Sequence, residues 1–114
     1  MPVEAGEPLR TELFELVARR MRVLAEPTRM QILFALEQRE ASVQELADEL
    51  GMAHPNVSKH LNVLYGAGIL SRRREGSWMR YALADYTACR LLRGATAAVT
   101  GYIEELADLV NPAA

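Results

Sequence analysis

Apolar residues recur at helical spacing over most of the chain. Pro2, Gly6 and Pro8 mark residues 1–8 as a loose, flexible arm. From there Leu9, Leu13, Leu16, Val17, Met21 and Leu24 follow one face of a first helix. Glu26-Pro27-Thr28 breaks that phase, and proline suits the first turn of a second helix ending near Arg39. Its apolar positions are Met30, Leu33, Phe34 and Leu36. Ser42-Val43-Gln44-Glu45 fits a capping box, in which Ser42 and Glu45 satisfy orphan amides reciprocally. Leu46, Ala47 and Leu50 then form one side of a short helix, and Gly51 is placed to end it in a left-handed turn. Pro55 in a first turn, followed by Val57, Leu61 and Leu64, predicts the next helix, closed by Gly66 and Gly68.

Past Gly68 the period shortens. Extended stretches at 69–74 and 78–83 flank Glu75-Gly76-Ser77, which predicts a β-hairpin with a glycine-containing loop. Asp85 is placed to cap a last helix running to about Val110, with Leu91, Leu92, Val99, Tyr102, Ile103 and Leu106 on its apolar stripe. The expected fold is mostly α with a small β-hairpin, an α+β chain in the order ααααββα. It occupies 9–110 as one domain, with 111–114 as a tail. A last helix of about 40 Å exceeds what so small a core requires. The apolar excess of the first and last helices therefore predicts a homodimer, joined through Leu9, Leu13, Leu16, Leu92, Val99, Tyr102, Ile103 and Leu106.

Two short helices, 42–50 and 54–65, meeting at a turn that contains Gly51 form a helix-turn-helix pattern. In that arrangement the second helix enters the major groove. A basic hairpin directly behind it makes the unit a winged helix. Charge changes the picture here. The chain carries 13 Lys and Arg against 15 Asp and Glu, a net charge of −2 that does not by itself point to nucleic acid. Yet Lys59, Arg72, Arg73, Arg74 and Arg80 face only Glu75 within 54–80, and both flanking segments are acidic. Such a compact basic segment fits either a nucleic-acid surface or a solvated charged loop; the helix-turn-helix beside it favours the former.

At 100° per residue, Val57, His60, Leu61, Val63 and Leu64 of the second helix cluster inward, and His54, Pro55, Ser58, Lys59 and Asn62 point away. Those five, with Asn56 at the border, are the expected DNA-reading residues. His60 reads as a packed histidine rather than a ligand. On the hairpin, Arg72, Arg74, Ser77 and Arg80 are the expected backbone or minor-groove contacts. Arg73 falls on the opposite strand face, where acids can pair with it. For Trp78 two readings stand, stacking or burial at the base of the wing, and burial is the expectation.

Leu24-Ala25-Glu26-Pro27-Thr28-Arg29, Val57-Ser58-Lys59-His60-Leu61-Asn62-Val63-Leu64, Gly68-Ile69-Leu70, Glu75-Gly76-Ser77-Trp78 and Tyr81-Ala82-Leu83 together resemble the ArsR/SmtB family over about residues 9–110. The resemblance implies a homodimeric winged-helix repressor acting on a double-stranded DNA operator in the bacterial cytoplasm. It also implies two positions at which relatives hold metal. At the soft-metal position this chain has Ser42 and Gln44, so no thiolate site can form there. At the last-helix position it has Asp85, Thr87, Ala98 and Gly101, of which only Asp85 is a ligand type. No cofactor is therefore identified. A transition metal remains open only at a non-standard site, built from the histidines or from Glu4, Glu7, Glu104, Glu105 and Asp108.

The lone Cys89 excludes an internal disulfide and any CxxC motif, and its default reading is a small buried hydrophobe. No phosphate loop, HExxH or nucleophilic triad stands out, so the expectation is a non-enzyme. No apolar run approaches the ~20 residues a bilayer needs, and Met1-Pro2-Val3-Glu4 lacks a signal-peptide layout. A cytoplasmic protein with no membrane partner is expected. Two other functions stay open: a metal-responsive repressor with a non-standard site, and an interaction module that docks on a second regulator protein and binds DNA weakly.

Overall fold

The computed structural model describes residues 9–111, with the side chain of Leu9 outside the description. The expected arm, 1–8, and the expected tail beyond Asn111 lie outside the described residues, as do Glu4 and Glu7. The order is α1 (Leu9–Leu24), α2 (Pro27–Gln38), β1 (Ala41–Ser42), α3 (Val43–Leu50), α4 (His54–Gly66), β2 (Leu70–Glu75), β3 (Trp78–Leu83) and α5 (Thr87–Val110). The strands form one antiparallel sheet in the order β1-β3-β2.

Local signals account for most of these boundaries. Glu26 caps α2 through Arg29 N, with Pro27 in the first turn. Ser42 and Glu45 form the reciprocal capping box at α3, at 3.2 and 2.9 Å. Gly51 ends α3 at φ +65°, in the left-handed region that favours glycine. The N-cap of α5 is Tyr86, without a side-chain cap, rather than the expected Asp85; Asp85 stands one residue earlier and accepts from Thr87 N at 3.0 Å.

Three further expectations are corrected. The first is the two-residue strand β1, which the hydrophobic pattern did not indicate. Two residues show no alternation, and β1 exists because Ala41 and Ser42 pair with Tyr81 and Arg80 of β3. The second is Leu92, expected at a dimer interface and found buried with Ala88 and Cys89 on the inner face of α5. It lies three residues after Cys89 and so shares that face. The third is Trp78. It opens β3 opposite Glu75 at the tip of the hairpin, beyond the reach of the core, and is 54% exposed. In α2, Ile32 joins Leu33 and Leu36 in the core, while Met30 and Phe34 are only half-buried.

The core is formed by Ile32 and Leu33 of α2, Leu46 of α3, Val57, Leu61 and Leu64 of α4, and Ile69 before β2. α1 contributes only its last turn through Leu24, and α5 only its first turns. Both helices then run on with exposed apolar side chains, and the radius of gyration is 17.9 Å. A compact chain of ~100 residues measures about 13 Å. The described chain therefore projects its terminal helices away from its own core.

Gly51 has no atom within 4 Å of where a Cβ would stand, so Gly51→Ala adds backbone strain without a clash. The expected loss is about 1–2 kcal/mol in chemical denaturation. Gly66→Ala, at a helical position that is equally open, is expected to be neutral or stabilising.

Candidate nucleic-acid interface

α3 and α4 are joined by the three residues 51–53. Val57, His60, Leu61 and Leu64 seat the inner side of α4 in the core. Helical geometry then turns His54, Pro55, Asn56, Lys59 and Asn62 to solvent, and all five are exposed. Ser58 is half-buried at the edge of that face. Among the described residues no carboxylate pairs with Lys59.

The strand register sorts the wing cations. Arg72 lies opposite Tyr81 and Arg74 opposite Met79, while Arg73 lies opposite Arg80. Directly opposed residues share a sheet face. Arg72 and Arg74 therefore stand on the face that carries Leu70, Tyr81 and Leu83 towards α4. The Arg72 guanidinium lies 3.9 Å from the ring centre of Tyr65, at the end of α4. Arg74, like Lys59, has no carboxylate partner among the described residues.

Arg80, grouped with Arg72 and Arg74 from the sequence, belongs instead with Arg73. The register places Arg80 among acids: Glu45 at 3.3 Å, Glu75 at 3.8 Å and Glu40 at 4.0 Å. Arg73 donates to Glu40 at 2.6 Å and to Glu75 at 2.7 Å, as its strand face implied. Three carboxylates thus face two guanidiniums. The hydrogen bond from Ser42 N, with Arg80 and Arg39 nearby, holds the Glu45 carboxyl below its ordinary value. Ser77 lies exposed in the two-residue loop with Gly76.

Two participants carried no signal in the sequence. Tyr65 serves as the seat for Arg72, and Glu40 gathers Arg73 and Arg80. Both act across elements far apart in the chain, where neither spacing nor periodicity reaches.

The positions where relatives hold metal are otherwise engaged. Ser42 Oγ accepts from Glu45 N, and Gln44 Nε2 donates to Asp48 at 2.9 Å. Asp85 accepts from Thr87 and pairs with Arg20 at 3.5 Å. Asp85 offers one carboxylate, already occupied, and Thr87, Ala98 and Gly101 add no nitrogen, thiolate or carboxylate donor, so these positions do not fit a transition metal. Glu104, Glu105 and Asp108 lie exposed along α5. Cys89 is fully buried, with Sγ 3.8 Å from the carbonyl of Leu33. Burial, and then the nearby Glu37, push its thiol up from the ordinary value.

A winged helix-turn-helix with these two faces defines the class. The sequence profile of the bacterial regulatory proteins of the arsR family matches residues 26–72. The chain is 42% identical over 79 residues to the HTH-type transcriptional regulator KmtR of Mycobacterium tuberculosis, covering 69% of this chain and 61% of KmtR. It is 39% identical over 92 residues to the biofilm growth-associated repressor of Agrobacterium fabrum, covering 81% of this chain and 75% of that one. The homodimeric winged helix-turn-helix DNA-binding domain of a possible ArsR-family regulator from Mycobacterium bovis superposes with a TM-score of 0.73 at 31% identity. That match covers 90% of this chain and 95% of the domain. The chain belongs to the ArsR family. It spans about three fifths of the length of KmtR.

Burial and a raised thiol value together predict slow chemistry at Cys89. A thiol-reactive chromophore should label the native protein only on the timescale of unfolding, and the denatured protein at once. Rapid stoichiometric labelling of the folded chain would contradict the assignment.

Proposed function

We propose that the chain is a sequence-specific, DNA-binding transcriptional repressor, working in the cytoplasm as a homodimer and not as an enzyme. The observation that carries this is the unpaired polar face of α4 beside Arg72 and Arg74, in a chain that is otherwise acidic. His54, Ser58, Lys59 and Asn62 have the donors and acceptors to address base edges, Pro55 offers apolar contact to a thymine methyl, and Asn56 borders the backbone. Arg72 and Arg74 position the domain on phosphate. Arg80 is left out of that set, because Glu40, Glu45 and Glu75 already hold it.

One recognition helix reads few bases, whereas a two-fold dimer sets two of them about 34 Å apart, one turn of DNA. Leu13, Leu16, Val99, Tyr102, Ile103 and Leu106 are all exposed in the single chain and supply the apolar surface for such a pairing. Leu9 opens α1 on the same helix. The donor chemistry at Ser42, Gln44 and Asp85 supports an effector other than a metal bound at those positions. No helix of the described chain is long and apolar enough to cross a membrane.

The test is enrichment of a duplex from a randomised pool, followed by binding over a salt series. Each lost phosphate contact flattens the slope of log affinity against log salt by about 0.9. Arg74→Ala is expected to do so, and Arg80→Ala is not. Failure to enrich any duplex would favour the module that docks on a second regulator. Equal flattening by Arg80→Ala would return that residue to the DNA face.

Val99→Asp places a charge in the proposed dimer surface without touching the core. Sedimentation is expected to give a monomer with an intact melting transition. An unaffected dimer would overturn the assignment of α5.

A further inference from the structure

His60 is the one titratable side chain on the inner side of α4, and it is 6% exposed. Its Nδ1 accepts from Nε of Arg29 at 3.1 Å. The imidazole is therefore neutral there, with its proton on Nε2. The same guanidinium donates through Nη1 to the carbonyl of Val23, in the last turn of α1, at 3.0 Å. The backbone N of Arg29 is held by the capping carboxylate of Glu26 at 2.9 Å. One residue thus ties the end of α1, the start of α2 and the buried side of the recognition helix. The far side of that helix carries Ser58, Lys59 and Asn62.

We propose that Arg29 and His60 are positioning residues for DNA reading: the Arg29 fork holds α4 in register with the junction of α1 and α2, and a proton on His60 Nδ1 releases it. The proposal rests on the DNA-binding reading above. Protonation removes the lone pair that Arg29 addresses and sets a positive charge against the guanidinium. The Glu26 carboxylate, 3.8 Å away, is then the acceptor within reach, and it is also the cap of α2. The charged groups bearing on His60 are Glu26 and Arg29 from α2 and Lys59 from α4 itself. Desolvation dominates, Arg29 and Lys59 act in the same direction, and Glu26 opposes them, so the histidine is held below its ordinary value of 6.5. A folded value below the unfolded one means that this contribution to stability is full above 6.5 and is lost as pH falls below it through the folded value.

His60 does not face the DNA surface. Phosphates near a histidine raise its pKa, whereas coupling through Arg29 requires the opposite. If the proton disfavours the DNA-bound pose, DNA must disfavour the proton by the same factor. The experiment uses the full chain and the duplex enriched by the parent protein. The His60 ring protons are titrated by NMR, free and bound. The expected result is that the His60 pKa falls on binding. A His60 value that is unchanged or raised in the complex overturns the proposal, and this measurement needs no variant.

The second arm compares affinities. In His60→Asn the amide oxygen takes the place of Nδ1 as acceptor but does not titrate. It is expected to bind like the parent at pH 8, and to bind about fivefold more tightly than the parent once pH is well below 6.5. Every other group is common to both chains and cancels in the ratio. Arg29→Lys, a point charge in place of a fork, is expected to weaken binding at pH 8 with an unchanged salt slope. Parallel pH profiles for parent and His60→Asn, or parent-like binding by Arg29→Lys at every pH, overturn the coupling while leaving DNA binding intact. A parent that enriches no duplex overturns the DNA reading, and this proposal with it.

Discussion

The seating of one helix constrains everything else in this molecule. Val57, Leu61 and Leu64 of α4 are wholly inaccessible, packed with Ile32, Leu33 and Leu46. Their i, i+4, i+7 spacing leaves no rotational freedom about the helix axis, since turning α4 by one residue would expose a leucine and bury Lys59. Burial of three apolar side chains thereby decides which polar side chains face outward. The polar face has little interior support of its own, as α4 starts without a side-chain cap. Its orientation is borrowed from the core and from the Arg29–His60 contact, the polar tether on its inner side.

The same core is too small to occupy the terminal helices. α5 extends over 24 residues, but only Ala88, Cys89 and Leu92 in its first turns are buried. α1 likewise gives up only Leu24. Leu13, Leu16, Val17 and Met21 of α1 and Val99, Tyr102, Ile103 and Leu106 of α5 sit in water, which each Å² of apolar surface disfavours by about 25 cal/mol. A second copy resolves that cost and at the same time doubles the reading surface. Folding and function therefore ask for the same partner.

Much of this was legible in the residues. The capping box at Ser42 and Glu45, the left-handed Gly51 and the hairpin around Gly76 are local, and local chemistry is what a sequence displays directly. The outward face of α4 was equally legible, because periodicity and burial agree there. The errors came where the answer depended on another part of the chain. Arg80 changed faces because its side follows from the register of two strands, and an even or odd loop length reverses it. Counting Gly76 and Ser77 alone as the loop, rather than Glu75 with them, pairs Arg80 with Arg73. Leu92 moved inward because α5 turns its first two turns to the core and its later ones away, a division that an even apolar stripe does not reveal. β1 is a product of pairing, not of propensity.

That reassignment of Arg80 alters the electrostatic picture of the wing. Counted along the sequence, the segment 54–80 presents five cations against one acid. In space, Glu40 from before β1 and Glu45 from α3 join Glu75, and the outer face of the hairpin carries three carboxylates against Arg73 and Arg80. The inner face keeps Arg72, seated on Tyr65 of α4, and Arg74, and Lys59 stands exposed on α4 itself. Positive charge is therefore concentrated on the side where the recognition helix stands, and slightly reversed on the other. A domain charged in this way approaches a polyanion in one orientation, because the wrong face is repelled before contact. Net charge near zero is then no obstacle to binding DNA. Three of the acids sit on the face away from Arg72 and Arg74, and the exposed ion pairs that hold them there contribute little to stability by themselves.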